Sequence, residues 1–139
     1  MQRTGIFLSI ALVAIAAAFF LNLSSKFNTE IANPILIQGD VEGMAVQYKG
    51  KLYTLNFRQQ EQFIETINKS LPYIEKKVSN EGLNFDKLVV YRFQKPEIAL
   101  TPIGYEAGRL VFSIPELHAG YLEEATPGKI QNLINEIVK

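Results

Sequence analysis

The residues that could do chemistry are few and lie in the last quarter of the chain. His118 is the only histidine, and Glu116, Glu123 and Glu124 are the nearest carboxylates in sequence. A metal site or an acid–base pair recruits several such groups at matched spacing, whereas adjacent helical residues point in different directions. We therefore interpret His118 as a solvated or capping side chain and the two adjacent glutamates as solvated surface charge. No catalytic residue and no metal site is predicted.

Nucleophile and phosphate-binding motifs are also missing. No serine lies in a G-x-S-x-G or S-x-x-K frame, and the glycines form neither a Walker nor a dinucleotide pattern. The chain has no cysteine, which excludes disulfides, thiolate chemistry and cysteine-bound zinc. Residues 27–139 carry 12 basic and 14 acidic side chains, whereas nucleic-acid binding needs a clustered positive surface. We predict a protein that is not an enzyme, with no cofactor and no nucleic-acid partner.

The amino terminus holds an uncharged apolar run of 19 residues, from Gly5 to Leu23, with Arg3 before it and Lys26 after it. A membrane-spanning helix needs about 20 such residues. The run predicts an anchor over residues 1–23 that contacts the lipid bilayer through residues 5–23. Arg3 favours a cytoplasmic amino terminus, so a single pass would place the following domain on the extracytoplasmic side.

A cleaved secretory signal is the alternative interpretation of the same run. Arg3 followed by an apolar stretch and by three small residues, Ala16 to Ala18, has the form that signal peptidases recognise. Cleavage near Ala18 would release the rest of the chain as a secreted protein. The apolar character continues through Phe19 and Phe20, beyond that point, which favours the uncleaved anchor.

A polar linker over residues 24–33 leads into one domain, residues 34–139. The domain is predicted to begin with a short strand at Ile35–Gln38. Alternating apolar residues then predict a hairpin, in which Val41–Tyr48 pairs with Lys51–Phe57 across a Lys-Gly turn. Because Lys-Gly is a weaker turn pair than Asn-Gly, a bulged three-residue loop is the alternative.

A helix is predicted after the hairpin. Asn56 can cap its amino terminus, with Gln59 three residues later in the capping-box position. Because Pro72 disrupts a helix interior, two possibilities remain. Either the helix kinks there, or it ends near Lys69 and a second helix begins with Ser70 as its cap.

Three more strands and a helical end complete the domain. The strands are predicted at Phe85–Phe93, Ile98–Thr101 and Arg109–Ile114. Prolines on both sides of Ile98–Thr101 predict an edge strand or a poorly paired one, and the glycine-bounded segment Ile103–Gly108 is predicted to be a loop. The last quarter, from Pro115, is predicted to be helical.

The predicted fold class is α+β, with one antiparallel sheet of about five strands, packed helices and the element order ββαβββα. This order resembles that of profilin-like and longin-like domains. The resemblance is one of topology alone, and no function is transferred with it.

A recognition surface is the remaining functional expectation. Tyr105, beside Glu106 in the predicted loop, and the predicted edge strand with Ile98 and Leu100 are the candidate interaction residues. The expected function is a membrane-anchored, outward-facing, non-catalytic interaction module with a protein partner in the cell envelope. A secreted or tethered small-ligand-binding protein is the alternative, followed by a small exported hydrolase.

Overall fold

The computed structural model describes residues 14–17, 34–74 and 77–139. Residues 14–17 are helical, whereas the rest of the predicted anchor, the cleavage point near Ala18 and the linker lie outside the described residues. Among the residues that are described, no helix is both long and apolar enough to cross a membrane. Residues Ile35–Lys139 form one compact unit.

Seven strands of this unit form one antiparallel sheet, in the spatial order β2-β1-β4-β5-β6-β7-β3. The α+β class is therefore confirmed, with a larger sheet than the five strands that we expected. The strands and the two α-helices are β1 (Val41–Tyr48), β2 (Lys51–Thr54), α1 (Phe57–Asn68), β3 (Leu71–Pro72), β4 (Lys87–Arg92), β5 (Lys95–Glu106), β6 (Arg109–Ser113), β7 (Tyr121–Glu123) and α2 (Lys129–Ile137).

The predicted hairpin and the predicted helix cap are both present. Tyr48 pairs with Lys51 across a two-residue turn, whose Lys49 and Gly50 both have positive φ, 50° and 76°, as a twisted hairpin requires. The side chain of Asn56 accepts from the backbone of Gln59 and the reverse bond closes the capping box, both at 2.9 Å. β2 ends at Thr54, before the predicted limit.

Helix α1 ends at Asn68, so the prediction that it stops near Lys69 is correct. The second helix expected after Ser70 is wrong, because Leu71 and Pro72 pair with β7 instead. The predicted strand Ile35–Gln38 is also wrong. The amide of Asn68 bonds both backbone groups of Leu36, at 2.7 and 2.9 Å, and these groups therefore do not join the sheet.

The edge position predicted for Ile98–Thr101 is wrong. These residues belong to β5, the longest strand, which lies between β4 and β6, and the side chains of Ile98 and Leu100 are each only 1% exposed. The neighbouring Pro102 is tolerated because the pairing of β5 with β6 shifts register just after it. The predicted loop is strand as far as Glu106.

The carboxyl-terminal quarter is only partly helical. A 3-10 turn at Pro115–Leu117 is followed by β7, where a helix was expected, and α2 begins two residues after Pro127. Leu122 of β7 pairs with Phe112 of β6 and is buried. Residues 121–123 are extended because this conformation pairs them with β6 and buries Leu122 in the core.

Both helices pack on one face of the sheet and share one core with it. The core residues from the strands are Met44, Val46, Leu88, Val90, Ile98, Leu100, Leu110, Phe112 and Leu122, and those from the helices are Phe63, Ile64, Ile67, Ile130, Leu133 and Ile134. Side chains alternate between faces along a strand, so the buried Ala45, Val89 and Val111 lie on the opposite face.

Gly104 provides a test of the close packing around β5. Tyr105 forms a bridge with Ser79, with backbone bonds of 2.7 and 2.9 Å, and a β-carbon on Gly104 would lie 2.6 Å from the Ser79 carbonyl oxygen. We expect Gly104→Ala to destabilise the fold by about 1–3 kcal/mol, because the backbone must move. Urea unfolding measures this change.

Gly39→Ala is the matched control, since a β-carbon at Gly39 meets nothing within 4 Å. Equal stabilities for the two variants would contradict the close approach at Gly104.

Candidate binding cleft

A cleft of about 220 Å³ opens between α1 and the turn that leads into α2. Its lining is polar, with two lysines, a glutamate and two threonines among its members. The lining residues are Gln62, Glu65, Thr66 and Lys69 from α1, Ala125 and Thr126 from the turn, and Lys129 from the first position of α2.

The α1 wall carries an ion pair on successive helical turns. The Lys69 ammonium lies 2.6 Å from a carboxylate oxygen of Glu65. The hydrogen bond and charge of Lys69 hold the pKa of Glu65 below its ordinary value, and the more distant charge of Lys129 acts in the same direction. Both side chains of the pair are well exposed, so this pair adds little to stability and serves instead to place charge in the cleft.

The opposite wall is held by the carboxylate of Glu124, which is completely buried. Its two oxygens accept backbone N–H bonds from Leu110, Gly128 and Ile130, each at 2.9 Å. Gly128 is the N-cap of α2 and has no capping side chain. Glu124 satisfies helix N–H groups that a capping residue would otherwise bond, and its charge is favourable at that helix end.

This position contradicts the interpretation of Glu123 and Glu124 as a solvated pair. Glu123, the last residue of β7, is partly exposed, whereas Glu124, the first residue after the strand, is buried and bonded to backbone N–H groups. The prediction that this segment is helical gave no reason to expect different burial of the two glutamates. An acidic residue just before Thr-Pro-Gly, at the start of an amphipathic helix, was the available signal for a buried cap.

Arg109 fixes the turn from outside the cleft. Its guanidinium donates to the carbonyl oxygen of Ala125 at 2.7 Å and to that of Glu124 at 3.4 Å. With the Glu124 carboxylate on one side and Arg109 on the other, the backbone of the turn that carries Thr126 is fixed at several points.

The four residues predicted to form an interaction surface are not brought together on one exposed face. Ile98 and Leu100 are in the core. Tyr105 and Glu106 are partly exposed at the end of β5, and their role in binding stays a prediction. The Tyr105 hydroxyl donates to Oε1 of Gln131 on α2 at 2.7 Å, so this tyrosine packs against a helix rather than standing in a loop.

His118 and Glu116 have separate local roles. His118 is exposed and ends the 3-10 turn with a φ of 51°, and the Glu116 carboxylate accepts from the backbone N–H of Ala99 at 3.3 Å. Within residues 34–74 and 77–139, no three histidine, cysteine, aspartate or glutamate side chains are grouped as a metal site would require.

The cleft combines charged and neutral polar groups. It places ammonium, carboxylate, amide and hydroxyl groups around a small space, between walls that are held by internal hydrogen bonds. No protein-family model, no curated protein and no solved structure matches this chain.

Replacement of the buried carboxylate tests its structural role. Glu124→Gln keeps the shape of the side chain but removes the charge and directs an amide N–H₂ toward backbone donors. We expect a loss of about 2–4 kcal/mol of unfolding free energy, because buried N–H groups lose a charged acceptor. Glu123→Gln, at the adjacent and partly exposed position, should change stability by less than about 0.5 kcal/mol. Equal effects in chemical denaturation would contradict this assignment.

Tyr105 gives the fold a dependence on alkaline pH. Burial, and to a lesser degree the charge of Glu124, raise the pKa of Tyr105 above its ordinary value of 10.0. The folded state therefore keeps a proton that the unfolded chain releases, so the stabilisation is complete below pH 10 and is lost as the pH rises through the folded pKa. Urea midpoints measured against pH should fall more steeply above pH 10 for the wild type than for Tyr105→Phe. Parallel profiles would count against this coupling.

Proposed function

We propose that this chain is a membrane-tethered, non-catalytic interaction module, whose domain faces away from the cytoplasm and binds a protein of the cell envelope. The apolar run Gly5–Leu23 supports the tether. A cluster of exposed apolar side chains at one edge of the sheet supports the protein contact. The element order of profilin-like and longin-like domains is part of this proposal only as an analogy, and it carries no activity.

The apolar cluster is the β3–β7 edge, defined by Leu71, Ile74 and Tyr121. These side chains are 48%, 83% and 48% exposed. Leu71 pairs with Glu123, two residues along β7 from Tyr121, and the backbone N–H of Tyr73 donates to the Tyr121 carbonyl oxygen at 2.9 Å. Leu71 and Tyr121 lie near each other through this pairing, and Ile74 follows Tyr73 in the chain. Several large apolar side chains exposed in one region are typical of a surface that a partner covers.

The form of this edge favours side-chain packing over the addition of a strand. β3 has only two residues, and Pro72 has no N–H to donate to a further strand. The expected partner therefore presents its own apolar side chains to Leu71, Ile74 and Tyr121. A common membrane raises the effective concentration of the two proteins, so a surface of this modest size is sufficient.

A small-ligand-binding protein remains the second candidate function. The polar cleft between α1 and α2 favours it, because none of Leu71, Ile74 and Tyr121 is among the residues that line the cleft.

The proposal predicts capture of one protein that depends on the β3–β7 edge. Full-length chain is purified from crosslinked native membranes as the wild type and as the double variant Leu71→Ser, Ile74→Ser. A reproducible partner should be recovered with the wild type, and its yield should fall about tenfold or more in the double variant, because apolar contact residues carry much of the binding energy.

Leu52→Ser is the matched control, because Leu52 is 56% exposed on β2, at the other edge of the sheet. It should leave the recovery unchanged. Recovery of no reproducible partner, or equal loss in both variants, would overturn the interaction module. A mature amino terminus at Phe19 would overturn the tether, and domain cleavage by a protease added only to the cytoplasmic side would overturn the orientation.

A further inference from the structure

Three polar groups in the cleft form no hydrogen bond and no close ion pair in the described part of the chain. The Lys129 ammonium forms no ion pair with any described carboxylate, and the side-chain amide of Gln62 and the hydroxyl of Thr126 form no hydrogen bond there. By contrast, the Thr66 hydroxyl donates to the carbonyl oxygen of Gln62 at 2.7 Å. An ammonium, an amide and a hydroxyl are therefore available on facing walls, and all three can donate hydrogen bonds.

The charged side chains that line the cleft determine which net charge of a ligand is favoured. Among the residues that line the cleft, Lys69 and Lys129 contribute two positive charges and Glu65 one negative charge, which leaves one positive charge in excess. The carboxylate of Glu124 behind the turn is buried, and its oxygens are bonded to three backbone N–H groups. One negative charge on a ligand balances this excess, whereas a second would meet the carboxylate of Glu65. The cleft therefore favours a monoanion over a dianion.

The backbone of α2 does not compete for this ligand. The N–H groups of Gly128 and Ile130 are already bonded to Glu124, so recognition falls to side chains. Those side chains stand on α1, on the first position of α2 and on the turn between β7 and α2, which Glu124 and Arg109 hold in place. Such preorganisation lowers the entropic cost of binding.

The volume of the cleft limits the size of the ligand that it can hold. Its volume of about 220 Å³ is below the range of about 300–1,000 Å³ that is common for drug-sized ligands. A planar carboxylate with a few attached carbons fits this limit, and the methyl group of Ala125 offers an apolar contact for those carbons. We propose that the cleft between α1 and α2 binds a carboxylate group, presented by a small free acid or by the carboxyl terminus of a peptide.

Titrations of the full-length chain in detergent micelles test this proposal, with backbone amide chemical shifts as the readout. The probes are acetate, acetyl-Ala-Ala with a free carboxyl terminus, the same dipeptide as its amide, and inorganic phosphate. We expect saturable shifts near Gln62, Thr126 and Lys129 with the two carboxylates, at dissociation constants of about 1 mM, and weaker binding of phosphate. Shifts of equal size with the dipeptide amide would overturn the proposal.

Variants connect the binding to the cleft. Lys129→Gln should weaken carboxylate binding about fivefold to tenfold, as expected for loss of one charged hydrogen bond at an exposed site, and Lys129→Arg should restore most of it. Lys51→Gln, at an exposed position of the hairpin, should have no effect. Equal weakening by the Lys129 and Lys51 variants would show general attraction of anions and would overturn the proposed site.

The two sources of the carboxylate are separated by the same titrations. Equal affinity for acetate and for the free dipeptide assigns a small acid, whereas tighter binding of the dipeptide assigns a peptide terminus. This proposal is independent of the tethered interaction module, because neither Leu71 nor Ile74 lines the cleft. Loss of partner capture would leave the carboxylate titrations unchanged.

Discussion

The buried carboxylate of Glu124 joins three parts of the molecule, the sheet, the turn after β7 and helix α2, through one side chain. It accepts from Leu110 on β6, from the N-cap of α2 and from Ile130 in the first turn of that helix. A carboxylate removed from water is costly unless its oxygens are bonded, so the sheet, the turn and the helix must meet in one arrangement. The position of the turn, and with it one wall of the cleft, depends on this interaction.

The second wall depends on much simpler local rules. Helix α1 begins at a capping box and ends where Asn68 bonds the backbone of Leu36. Its apolar face enters the core, and its other face presents Glu65 and Lys69 one helical turn apart. The cleft is thus formed where a helix determined by local sequence faces a turn determined by a buried long-range contact.

The accuracy of the sequence analysis follows the same division between local and long-range contacts. The hairpin turn, the capping box and the class of the fold were predictable, because turn residues, a capping pair and apolar periodicity act over a few positions. The edge assigned to Ile98–Thr101 was wrong because proline was taken as a bar to interior pairing. A register shift beside Pro102 removes that bar, and no local pattern shows a shift that depends on the neighbouring strand.

The sequence alone shows the apolar run at the amino terminus, the charge balance, the absence of cysteine and the local elements that periodicity and capping specify. The core positions of Ile98 and Leu100, and the burial of Glu124 beside a partly exposed Glu123, are visible only in the folded structure. The folded structure also places Lys69 and Lys129 on facing sides of one cleft. The physical reason is that burial and ligand geometry depend on groups brought together from distant positions, and their energies are not present in any short stretch of the chain.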